Sequence, residues 1–222
     1  MNDMNVREPI PLTPAVVPAA YEDGLLKTAD LNAPIAVQVM VWIGAMTGYT
    51  VRLDLDGVPA TEERVITDAD KQGDILTLDL PETYLEDEGL HTLEYRICNP
   101  LTGDEVFSPS IPLIVDRTPP GAALLAAMMF PRASFGARAT ALVPAYFGMA
   151  VGDTIQTLCS GVPGPVHTVV AEELTLAPIQ IAFEEHFLLS LAAPEVVVDY
   201  SVADRAGNES IRAVPVTLSL VP

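Results

Sequence analysis

The amino-acid sequence predicts an all-β protein made of two consecutive antiparallel sandwiches of Greek-key type, and three observations carry that expectation. Apolar residues recur at every second position over short runs, the period of a strand with one buried face. The 222 residues include 20 Pro and 14 Gly, a density of turn-formers that interrupts long helices and suits short strands joined by turns. The third observation is an internal repeat. Residues 44–59, GAMTGYTVRLDLDGVP, align without a gap on residues 148–163, GMAVGDTIQTLCSGVP, at an offset of 104. Gly44/Gly148, Gly48/Gly152, Thr50/Thr154, Gly57/Gly161, Val58/Val162 and Pro59/Pro163 are identical. The register recurs downstream. Tyr95 followed by Gly103-Asp104-Glu105 answers Tyr200 followed by Gly207-Asn208-Glu209, and residues 110–116 parallel residues 213–220. A unit of about 100 residues is too long for a solenoid repeat and right for a domain.

The first unit begins its alternation at Val37, Val39 and Val41, with Trp42 on the opposite face. Val51, Leu53 and Leu55 then face one way and Arg52, Asp54 and Asp56 the other, up to the turn signal Asp56-Gly57. Leu76, Leu78 and Leu80 alternate with Thr77 and Asp79. His91, Leu93, Tyr95 and Ile97 are in phase on the core side, with Thr92, Glu94 and Arg96 outward, and Ile111, Leu113 and Val115 end the unit. The second unit repeats the scheme with Ile179, Ile181 and Phe183, then Val196, Val198, Tyr200 and Val202, then Val214, Val216, Leu218 and Leu220. By register Cys159 takes the core place of Leu55. The boundaries follow from composition: a Pro-rich lead over residues 1–14 with Pro9, Pro11 and Pro14, a first domain over 15–116, a stiff joint over 117–121 with Pro119-Pro120, and a second domain over 122–222.

Charge and cysteine usage exclude several classes. Thirty Asp plus Glu against eleven Lys plus Arg give a formal charge of −19, which repels nucleic-acid phosphates and anionic membrane surfaces. Residues 1–116 hold 21 acidic and 6 basic side chains and the remainder 9 and 5, so −15 of the total belongs to the first unit and −4 to the second. No secretory signal is recognisable in the opening residues. The longest apolar run, residues 121–131, is about half of the roughly 20 residues that span a bilayer, so no membrane insertion is expected, and Arg132 and Arg138 make no charged helix face beside it. Cys98 and Cys159 fall in different halves of the chain and form no disulfide framework within a domain.

Few constellations carry chemistry. Asp68, Asp70, Gln72, Asp74 and Asp79, with Gly73 at the turn, place oxygens at the spacing of a calcium loop, the only cofactor the sequence raises. The competing reading is a polar hairpin turn leading into the strand at 74–80. Glu86-Asp87-Glu88, with Glu62-Glu63 and Glu82, forms an acidic stretch that suits a basic partner, or that simply keeps sandwich edges from pairing. Trp42, the sole tryptophan, is a candidate aromatic anchor for a partner or a sugar ring, with Tyr146 its counterpart. His91, His167 and His186 have no zinc-ligand spacing. There is no nucleophile elbow or glycine-rich phosphate cradle.

The segments LVPAYFGMAVGDTIQ, YSVADRAGNES and VDRTPP resemble bacterial immunoglobulin-like repeat modules, strung in tandem in large surface and adhesin-type proteins. The resemblance covers almost the whole chain after the Pro-rich lead. It implies an all-β fold class of two tandem Ig-like Greek-key β-sandwich domains, an extracellular or cell-surface setting, and structural roles for Tyr95 and Tyr200 like that of the tyrosine that pins a sandwich corner through its hydroxyl. With two modules, the chain reads as a piece of a longer repeat protein or as a short relative of one. The expected function is a non-enzymatic binding or adhesion module that engages a protein or glycan partner, or neighbouring modules, through loops, with catalytic and cofactor residues expected to be none. The alternatives are a spacer or stalk and, more remotely, a carbohydrate-active hydrolase with two facing carboxylates.

Overall fold

A computed structural model of the chain describes residues 11–131 and 138–220, without the side chain of Arg138. Pro9 of the Pro-rich lead, Arg132, Val221 and Pro222 lie outside the described residues. The chain divides into two compact units, Met1–Asp116 and Arg117–Pro222.

The first unit contains β1 (Ile35–Met40), β2 (Thr50–Leu55), β3 (Val58–Pro59), β4 (Arg64–Val65), β5 (Ile75–Leu80), β6 (Gly89–Cys98), β7 (Glu105–Phe107) and β8 (Ile111–Val115). β1 and β5 pair antiparallel as one sheet, with Val37 opposite Leu78. In the other sheet β2 pairs with β3, β4 and β6, and β6 in turn pairs with β7 and β8. The expected alternation decides what lies between the sheets. Val37, Val39, Leu76, Leu78 and Leu80 meet Val51, Leu53, Leu55, Leu93, Tyr95, Ile97, Leu113 and Val115 in one buried cluster. Short 3-10 turns at Thr28–Asn32 and Glu82–Leu85 add Leu31 and Leu85 to it. Asp56 and Gly57, between β2 and β3, both take positive φ, 52° and 75°, the backbone twist that a two-residue hairpin requires.

The segment before β1 ties the two sheets together. Val16 and Gln38 exchange both backbone hydrogen bonds, at 2.9 and 2.8 Å, so the segment first pairs with β1. It then crosses to the other sheet, where Leu26 N–H donates to the Ile114 carbonyl and Ile114 N–H to the Gly24 carbonyl. Gly24 permits this crossing. Its φ is +90°, and a Cβ there would lie 2.4 Å from the Pro112 carbonyl oxygen.

The second unit contains β9 (Arg138–Val143), β10 (Thr154–Cys159), β11 (Val162–Thr168), β12 (Ile179–Glu184), a six-residue helix α1 (Glu185–Ser190), β13 (Glu195–Ala203) and β14 (Val216–Ser219). β9 pairs with β12, and the other sheet runs β11-β10-β13-β14. Cys159 is fully buried in the place of Leu55, where burial and then the Asp199 charge push its thiol up to about 11. The thiol is therefore inert at neutral pH. The leading segment pairs with β9 as in the first unit, Met129 with Leu142 at 2.9 and 2.8 Å. Among the residues expected on the core side of the last strand, Val214 is instead exposed, because β14 begins two residues later at Val216.

One side chain per unit fixes the leading segment against the core. Tyr95 and Tyr200 are wholly buried, and each hydroxyl donates to a carbonyl of that segment at 2.8 Å, Thr13 in one unit and Ala126 in the other. Burial raises both phenols, that of Tyr200 to about 12, so both remain donors at physiological pH. Substituting Tyr95→Phe or Tyr200→Phe keeps the ring and removes the donor. Each substitution is expected to cost about 1 kcal/mol, read from the denaturant midpoint at unchanged slope.

Candidate functional site

Binding residues in a sandwich of this kind belong to loops held by a rigid framework, and the candidates of the first unit sit in three such places. The first lies past the end of β1. That strand ends at Met40, Val41 still pairs with the chain before β5 by donating its N–H to the Asp74 carbonyl and accepting from Gly73 N–H, and the chain turns just beyond, where Ala45 N–H donates to the Trp42 carbonyl. Val41 keeps the alternation and is buried, and Trp42, at the start of the turn, is buried as well. This corrects the expectation that Trp42 faces outward as an aromatic anchor. The indole is 4% exposed and packs edge-on against Tyr49, with ring centroids 6.0 Å apart. The repeat places Tyr146 and Asp153 at these two positions in the second unit, where the tyrosine hydroxyl donates to Asp153 Oδ2 at 2.8 Å. Two rings occupy one unit and a hydroxyl with a carboxylate the other. Beside Trp42 lies a recess of about 220 Å3 walled by Pro11, Thr13, Met40, Val41, Ile43, Gln72 and Gly73, with no carboxylate among its walls.

The second place is the loop with calcium-like spacing. Asp70 accepts from the backbone and hydroxyl of Thr67 at 2.8 and 2.9 Å and from Arg64 at 2.6 Å. The Thr67 amide first, and then the Arg64 guanidinium, bring its carboxyl down to about 2. Asp68 accepts from the Thr47 hydroxyl, its carbonyl accepts from Lys71 Nζ, and Asp74 accepts from the Lys71 amide at 2.8 Å. Asp79 lies on β5, opposite Ala36, and Gln72 is exposed at the turn. Local donors thus hold carboxylate oxygens of Asp68, Asp70 and Asp74, three of the five side chains that a cation would need. No group of three or more His, Cys, Asp or Glu side chains gathers as a metal-binding set among the described residues.

The third place is the acidic loop. Glu86, Asp87 and Glu88 are exposed and follow the 3-10 turn at Glu82–Leu85. The phase of β6 puts His91 on the core side, yet the core ends at Leu93 and the His91 ring sits at the sandwich margin. Its Nδ1 lies 2.8 Å from Asp56 Oδ2 and its Nε2 lies 3.0 Å from the Asp87 carbonyl oxygen. Burial works against the His91 charge, but the hydrogen bonds to Asp56 and Asp87 outweigh it and raise the imidazole above its usual value. Burial likewise works to raise the Asp56 carboxyl, and the bonds from His91 and the Thr92 amide hold it low. The sequence carried one unused hint of this group. With Tyr95 aligned on Tyr200, His91 falls where the second unit has the apolar Val196.

No protein-family model matches the chain, and no curated protein sequence matches it. Among solved structures, the chain is similar to the fibronectin(III)-like modules of CbhA from Clostridium thermocellum. The identity is 12%, 93% of each chain is covered, and the TM-score is 0.46. It is also similar to a structure of a 1.5-MDa bacterial ice-binding adhesin, at 12% identity and a TM-score of 0.45, covering 96% of this chain and 66% of that one. The D0-D1 domain of intimin matches at 13% identity and a TM-score of 0.33, covering 94% and 98%. At such scores the likenesses carry no argument about activity, and the Ig-like sandwich fold rests on the strand pairing itself.

With donors already on Asp68, Asp70 and Asp74, the loop is expected to give no calcium dependence. The unfolding temperature of the chain should be the same in millimolar calcium and in chelator, and a rise that saturates with calcium would show that the loop rearranges around the ion.

Proposed function

We propose that the chain is a non-enzymatic binding and adhesion module, two consecutive Ig-like sandwiches that engage a protein or glycan partner at a cell surface or outside the cell. The loops of the first unit make the contact. The observation that carries this reading is the charge split between two units with one framework: −15 against −4. Equivalent turns and equivalent buried tyrosines occur in both, so the acidity of the first is not needed to build the fold. Much of it stands exposed in loops, at Glu62 and Glu86-Asp87-Glu88 among others, where its field reaches a partner that carries positive charge. No helix among the described residues is long and apolar enough to cross a membrane.

A spacer role is the competing reading, and one experiment separates the two. The whole chain is assayed on a glycan array and on cells, beside a variant carrying Glu86→Gln, Asp87→Asn and Glu88→Gln. The binding reading predicts a salt-sensitive signal that the triple variant reduces at least tenfold. Absence of binding in both assays contradicts it and leaves the spacer.

A further inference from the structure

His91 forms a connection that the shared framework does not require. In both units the turn after the second long strand is tied to the strand beside it by a reciprocal pair of hydrogen bonds. Asp56 N–H donates to the Thr92 carbonyl at 2.8 Å and Thr92 N–H to Asp56 Oδ1 at 2.7 Å. Ser160 N–H donates to the Val197 carbonyl at 2.6 Å and Val197 N–H to Ser160 Oγ at 3.2 Å. The residue before Val197 is Val196, wholly buried. The residue before Thr92 is His91, which reaches from the second oxygen of Asp56 to the Asp87 carbonyl. The second unit thus closes its turn with no histidine, and His91 adds a link from that turn to the acidic loop.

The partners dictate the protonation of the ring. A backbone carbonyl only accepts, and an ionised carboxylate only accepts. Both ring nitrogens therefore have to donate, which makes His91 an imidazolium. Asp56 and Asp87 are the charged residues that face it. On β8 the residue opposite is the apolar Leu113. We propose that His91 is a pH-operated fastener of the acidic loop, closed while the ring carries both protons and opened when it loses one. A neutral ring keeps one N–H and presents a lone pair to the other acceptor, so one of the two links is lost. The folded ring titrates above its unfolded value of 6.5. The stabilisation is therefore complete below about pH 6.5 and disappears as the pH rises through the higher folded midpoint. The fastener depends only on this geometry and stands whether or not the loop engages a partner.

The test is an NMR titration of the whole chain, with the His91 ring signals identified by their disappearance in His91→Gln. The expected result is a His91 midpoint above 6.5. Amide exchange at residues 86–88, corrected for its intrinsic pH dependence, should accelerate across the same midpoint. His91→Gln should abolish that step. Asp56→Asn, which keeps an acceptor for Thr92 and removes the charge, should move the midpoint down. A His91 midpoint at or below 6.5, or exchange at 86–88 that ignores the titration, overturns the proposal.

Discussion

Each sandwich closes on a buried tyrosine hydroxyl. A phenol wholly inside the core must find an acceptor, because an unpaired hydroxyl there costs about 1 to 3 kcal/mol. The acceptor it finds is a carbonyl of the segment that leads into the first strand: Thr13 for Tyr95 and Ala126 for Tyr200. That bond positions the leading segment. Three residues beyond each acceptor the same segment pairs with the first strand of its unit, through Val16 and Met129. In the first unit it then crosses to the opposite sheet at Gly24. One polar atom in an apolar interior thus ties the leading segment of each unit to its core.

The rest of the framework is repeated with the same economy. The glycine pair Gly48 and Gly152 donates to Ile66 and Val169 at 2.9 Å in both units, and Ser108 and Ala213 donate to the carbonyls of Tyr95 and Tyr200. Backbone bonds of this kind are indifferent to side-chain identity, so the surfaces were free to diverge. The first unit answers its buried Asp54 with Arg52 at 2.8 Å and sets Arg96 between Glu63 and Glu105. In the second unit His167 and Glu173 pair at 2.8 Å across a short turn. Between Trp42–Tyr49 and Tyr146–Asp153 even a largely buried pair of positions exchanges its chemistry while the backbone keeps its course.

Strand phase was legible wherever a strand faces the opposite sheet: Leu76 to Leu80, Leu93 to Ile97 and Val196 to Val202 bury the residues that their alternation predicts, and so does Val51 to Leu55, except that Asp54, expected outward, is buried as well and is met by Arg52. The prediction lapses at strand ends. Trp42 lies two residues past β1, where the chain starts to turn, and His91 lies in phase but outside the depth of the core. Composition alone also says little about which donor a carboxylate meets. Asp68, Asp70 and Asp74 have the spacing of a cation loop, but Thr47, Thr67, Arg64 and the Lys71 amide reach them first. Nor did the pattern announce α1, since six residues give too short a window for a helical period.

Two units of very different charge share one set of backbone stitches. Residue-resolved native-state hydrogen exchange on the whole chain tests it most directly, by comparing the amides of Gly48 with Gly152, Asp56 with Ser160, and Ser108 with Ala213. Protection far above the unstructured rate at both members of every pair is the predicted result. A pair in which one amide is protected and its counterpart exchanges like an unstructured peptide would contradict the shared framework.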